Sequence, residues 1–189
     1  MEKWKINTGV FRLKLRPKEL KVYCILFNNT NDENMVDVLE IGLYDFLGTY
    51  VENLAHSIRH LIQAGLIEKL SKSVFKINQP DGGDYIYVDH SLFDKNRDIS
   101  FGELSLYLYV LALKNRRLLT NVNNIRDITG CARETIAARK KSLTEKGYIY
   151  TKKLGGGIFG GAINAVEVLE LPEIKANNKK LNLNARDCI

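Results

Sequence analysis

Cysteine is scarce in this chain. Cys24, Cys131 and Cys188 are the only three in 189 residues, too few and too scattered for a disulfide framework or a cysteine-based zinc cluster. No stretch approaches the roughly 18 consecutive apolar residues that a membrane span requires. The opening Met1-Glu-Lys-Trp-Lys is polar and carries no apolar run of the secretory kind. A reduced, cytoplasmic chain without membrane attachment is therefore expected. Catalytic patterns are missing as well. No paired carboxylates and no nucleophile–base arrangement stand out, so the chain is not expected to be an enzyme or to need a cofactor.

Glycine motifs mislead at first sight. Gly155-Gly-Gly157-Ile-Phe-Gly160 formally matches a dinucleotide fingerprint, but a strand-like segment follows where a helix is required. Gly161 stands where a phosphate-binding loop needs lysine. The stretch reads instead as the tip of a β hairpin.

Positive charge is what the chain has in excess. The formal net charge is +6 and the isoelectric point is about 9.1, which makes a polyanion the first partner to consider. Residues 1–80 are nearly balanced, with 11 basic against 9 acidic side chains. Between Arg116 and Lys153, ten basic residues face only Asp127, Glu134 and Glu145. That one stretch exceeds the net charge of the whole chain.

Beneath the charge lies an internal repeat at an offset of 82 residues. Gly48 aligns with Gly130, Glu52 with Glu134, Leu54 with Ile136, Leu61 with Leu143, and Gly65 with Gly147. Gly48 and Gly130 suit a tight turn between two short helices, where positive φ is needed. Leu54, Ile58 and Leu61 recur at helical spacing and give the second helix one apolar stripe. Ile136 and Leu143 repeat that stripe, with Lys140 at its middle position, which must either snorkel or shift the register. Gly65 and Gly147 then stop the helices. A strand pair follows each: residues 66–70 and 74–77 in the first copy, 148–154 and 163–171 in the second. A longer amphipathic helix precedes each copy, over residues 17–28 and 101–115. Residues 79–84 form a loop, and Tyr85-Ile-Tyr-Val88 reads as a strand leading into the second copy.

With these residues in place, Thr135-Ile-Ala-Ala-Arg-Lys-Lys-Ser-Leu-Thr-Glu-Lys-Gly-Tyr-Ile149 resembles the recognition helix and following strand of bacterial winged-helix DNA-binding domains. Tyr85-Ile-Tyr-Val-Asp-His-Ser-Leu-Phe93, followed by Leu104 to Leu113, is similar to the N-terminal domains of plasmid and phage replication initiators from low-GC Gram-positive bacteria. Related patterns occur in bacterial transcriptional regulators. The resemblance implies a mainly α fold with small β hairpins, built as two tandem winged helix-turn-helix domains. Their expected bounds are residues 1–80 and 81–171, with a polar tail over residues 172–189. Leu181 and Leu183 are the tail's one hint of periodicity.

Proteins of this kind place the last helix of the unit in the major groove, while the wing touches backbone or minor groove. Here the recognition helices would be residues 50–64 and 132–146. Arg133 and Arg139 can each give two hydrogen bonds to a guanine edge. Thr135 and Ser142 suit phosphate or base contacts, and Arg126, Lys141, Lys152 and Lys153 suit phosphates, which position without specifying. In the first copy Asn53, His56, Arg59 and His60 are the polar candidates. His56 and His60 lie four apart, a spacing that can hold a metal. No neighbouring glutamate of the metalloprotease type and no cysteine pair accompanies them, so no metal is expected. Cys131 is expected to be a core or near-core thiol, with redox sensing as the alternative.

The function these features imply is sequence-specific binding of double-stranded DNA, in transcription control or in origin recognition for a mobile element. If both units engage one duplex face, their sites lie about 10–10.5 bp apart, and a homodimer would double the footprint. The alternative of a different class is a winged-helix protein–protein scaffold in a replisome or regulatory assembly. The near-neutral first copy and the Leu181/Leu183 tail favour that alternative. RNA binding ranks lower, because stacking aromatics on an open sheet are not evident.

Overall fold

The structure is a computed structural model that describes residues 3–48, 54–115, 122–156 and 162–168. It divides into two compact units, Met1–Ser105 and Leu106–Ile189, where the sequence repeat placed the junction between residues 80 and 81. One strand pairing accounts for the difference. β1 (Lys3–Asn7) runs antiparallel to β5 (Tyr85–Asp89), with Trp4 opposite Val88 and Ile6 opposite Ile86. The strand read as a lead-in to the second copy is thus held by the first unit.

That pairing follows from alternation. Lys3, Trp4, Lys5 and Ile6 place charged and apolar side chains on opposite faces, and Trp4 and Ile6 are buried. Trp4 packs its ring 4.9 Å from that of Phe93. Asn28, the last residue of α1 (Pro17–Asn28), accepts from the Lys5 amide and donates to the Lys5 carbonyl, each at 2.9 Å. The side-chain amide so mimics a neighbouring strand and ties the helix end to β1.

α1 begins with Pro17, whose missing amide hydrogen is no loss in a first turn. Glu19 reaches back to accept from the Arg16 amide at 2.9 Å, which closes a capping box. The helix is buried over most of its length, with Leu20, Val22, Ile25 and Leu26 at its centre. After it come β2 (Met35–Asp37), α2 (Leu43–Leu47) and α3 (Ala55–Gln63). β3 (Ile67–Lys69) and β4 (Val74–Ile77) then join β2 in an antiparallel sheet of order β2-β4-β3. Val36, Ile67, Phe75 and Ile77 form its buried face.

α4 (Phe101–Asn115) contains the division between the units. In the second unit α5 (Val122–Thr129) packs on α6 (Arg133–Glu145), and α6 packs on β6 (Ile149–Gly156). β6 pairs antiparallel with β7 (Ala162–Val168). Ile125, Ile136, Leu143, Tyr148 and Ile149 make the shared core.

The two copies stop their third helix in the same way. Gly65 (φ 71°) donates to Ile62 O, and Leu66 donates to Leu61 O. Gly147 (φ 75°) donates to Thr144 O, and Tyr148 donates to Leu143 O. Both are Schellman closures, which need the left-handed conformation that glycine adopts freely.

Helix exceeds strand, about 50% against 18%, as expected, and with three small antiparallel sheets among the described residues the class is mixed α/β. β1 and β2 supply strand that the hairpins alone did not predict. Among the described residues no helix is long and apolar enough to cross a membrane.

Candidate nucleic-acid interface

α6 occupies residues 133–145 of the expected 132–146, with Ala132 and Lys146 as its caps. It is reached through Gly130, whose φ of 66° turns the chain sharply after α5. Ile136 and Leu143 are fully buried beneath it. The outward face carries Glu134, Ala138, Lys141 and Glu145, and Arg133 is also exposed. Lys141 Nζ lies 3.8 Å from Glu145 Oε1, an exposed ion pair one turn apart. Arg126, on α5, is exposed and sits 3.4 Å from the adjoining Asp127 carboxylate. Thr135 and Ser142 are half-buried on the flanks.

Two α6 residues are drawn toward the protein. Arg139 is half-buried and donates from Nη1 to Cys131 Sγ at 3.6 Å, and the thiol itself is half-buried at the turn. Lys140 is also half-buried, and burial lowers the pKa of its ammonium group below the ordinary lysine value. The irregular middle of the stripe is thus a lysine drawn partly into the surface.

Lys152 and Lys153 lie on β6, opposite Ala165 and Asn164 of β7. Their placement on one arm of a hairpin is described, and their side chains are not. Asn53, the hairpin tip at 157–161 and the tail from residue 172 lie outside the described residues.

In the first unit Arg59 is exposed on α3. His56 and His60 are differently placed. His60 Nδ1 lies 2.7 Å from Glu19 Oε1, and His56 Nε2 lies 3.1 Å from Arg16 Nη1. Both histidines therefore point along α3 toward the start of α1. Nothing local in the sequence signals this pairing, because Glu19 lies 41 residues from His60.

Compared with protein-family profiles, curated proteins and solved structures, the chain finds no match.

Proposed function

We propose that this chain is a sequence-specific double-stranded DNA-binding protein built from two winged helix-turn-helix units, with a regulatory role in transcription or in replication-origin recognition. One observation carries the reading. α6 presents Arg133 and Lys141 to solvent over a buried Ile136/Leu143 stripe, between a glycine turn from α5 and the β6–β7 hairpin. A helix so mounted has the diameter to enter a major groove, and the hairpin beside it has Lys152 and Lys153 on its β6 arm, residues of the type that contacts phosphates. The first unit supports the repeat through its own α2, α3 and β3–β4 in the same order. Glu134 and Glu145 on the outward face would repel phosphate, which confines close approach to the arginine side of the helix.

The test is selection of bound duplexes from a random pool, followed by affinity measurement at two salt concentrations. A reproducible motif, bound well below the micromolar or weaker range of roughly 10⁻⁴–10⁻⁶ M for non-specific contacts, supports the reading. Weak, steeply salt-dependent binding without a motif overturns it in favour of the protein–protein scaffold.

A further inference from the structure

Glu19, His56 and His60 bring three ligand atoms within 4.8 Å of one another. The two imidazoles come from successive turns of α3 and the carboxylate from the first turn of α1. We propose that these three residues form a binding site for a zinc-class divalent cation, clamping α3 to α1. The inference is independent of the DNA reading, because it rests on residues that need touch no nucleic acid.

The chemistry of the set fits such an ion. Two histidines and one carboxylate are a recurrent three-ligand arrangement for zinc, with a fourth position left open to water or another ligand. Nitrogen and oxygen donors of this mixture also suit cobalt and nickel, whereas calcium and magnesium ask for oxygen alone. Tetrahedral bonds of about 2.0–2.2 Å put ligand atoms about 3.3–3.6 Å apart. The Glu19–His60 contact, at 2.7 Å, must open slightly and the widest separation must close by about an ångström.

The surroundings are arranged as a ligand shell needs them. Glu19 is almost fully buried, and its Oε2 is held by the Arg16 amide at 2.9 Å. Oε1 is thereby aimed at the histidines, in the way an outer hydrogen bond orients a ligating carboxylate. Guanidinium groups only donate, so the 3.1 Å contact from Arg16 Nη1 makes His56 Nε2 the acceptor. Its lone pair therefore points at the Arg16 guanidinium, the group that an incoming ion would replace. His56 is exposed and His60 half-buried, which leaves a path from solvent.

Arg16 is the competitor. Its side chain is mostly exposed, and it places a positive charge beside His56 and 3.9 Å from Glu19 Oε1. An incoming cation must displace it. Removing the guanidinium should therefore strengthen metal binding, the opposite of what a purely structural network predicts.

The experiment is a titration of the full chain, stripped with chelator, with Zn²⁺, and in parallel with Co²⁺ followed by visible absorption. The expected result is one ion per chain and the intense bands of four-coordinate cobalt, without thiolate-to-metal charge transfer. His56→Gln and His60→Gln should each weaken binding at least tenfold, and Arg16→Ala should tighten it several-fold. Circular dichroism of the histidine variants checks that they fold, and Glu19 is left intact because it caps α1. No stoichiometric uptake overturns the proposal. So does uptake that is unchanged in both histidine variants, a thiolate band, or weaker binding in Arg16→Ala.

Discussion

Arg139 sets its guanidinium 3.6 Å from the sulfur of Cys131, across the turn that joins α5 to α6. The pairing holds a long cationic side chain at the rim of the helix, where it must leave the thiol to reach a base. Arg139→Ala is expected to cost about 1–3 kcal/mol of binding to a selected duplex, and much less on random duplex. Equal loss on both, measured by fluorescence anisotropy, would reduce Arg139 to a phosphate contact. A maleimide adduct on Cys131, beside α6, should obstruct approach of the duplex and weaken selected-site binding in the parent chain, with no effect in Cys131→Ala.

Lys141 and Glu145 form the exposed pair on the outward face of α6. Lys141→Ala should weaken binding to all duplexes alike and reduce the slope of log affinity against log salt by about 1. Glu145→Gln should act oppositely and strengthen binding on every sequence. Its effect on stability should stay within about 0.3–0.5 kcal/mol, the usual worth of an exposed pair one turn apart. A sequence-dependent response to Lys141→Ala would place that lysine at a base edge.

Gly130 has a φ of 66° and open space where a Cβ would stand. The cost of Gly130→Ala is therefore backbone strain alone, about 1–2 kcal/mol. Gly130→Asn should cost less, because asparagine tolerates the left-handed region. Thermal melts of the three proteins check the order, and an alanine variant as stable as the parent would show that the turn relaxes.

Lys21 is buried on α1 with its ammonium 5.3 Å from the centre of the Phe101 ring. Burial pulls its pKa down to about 8, with the Asp94 carboxylate resisting that shift. Below pH 8 both folded and unfolded chains hold the proton, and the folded state bears the full cost of the buried charge. Between pH 8 and about 10.5 the folded lysine has lost its proton while the unfolded one keeps it, so stability rises with pH. Lys21→Met should be more stable than the parent at pH 7 and should lack that rise. Denaturant melts at pH 7 and pH 9.5 read both effects.

Much of the helical frame is legible in the sequence. Pro17 starts α1, Gly65 and Gly147 close α3 and α6, and the Ile136/Leu143 stripe fixes the inward face of α6. These are local signals, each complete within a few residues. β1 and β2 are not so marked. β2 has three residues, and β1, although it alternates over a few residues, depends on a partner 82 positions away that no local pattern names. The Glu19–His60 contact escapes for the same reason. Arg139 and Lys140 show a third kind of difference: helical geometry gives their direction, while Cys131 and the protein surface decide how far each is drawn in.

The β1–β5 pairing also has a temporal side. During synthesis Trp4 and Ile6 emerge long before Ile86 and Val88, which complete the pair across the two strands. At about 5–20 residues per second the wait is about 4–16 s. Through that interval β1 is a segment with one apolar face and an unfilled edge, open to pairing with another nascent chain. The first unit therefore closes only after its last strand has cleared the ribosome. A fragment cut at residue 80 would keep that open edge permanently.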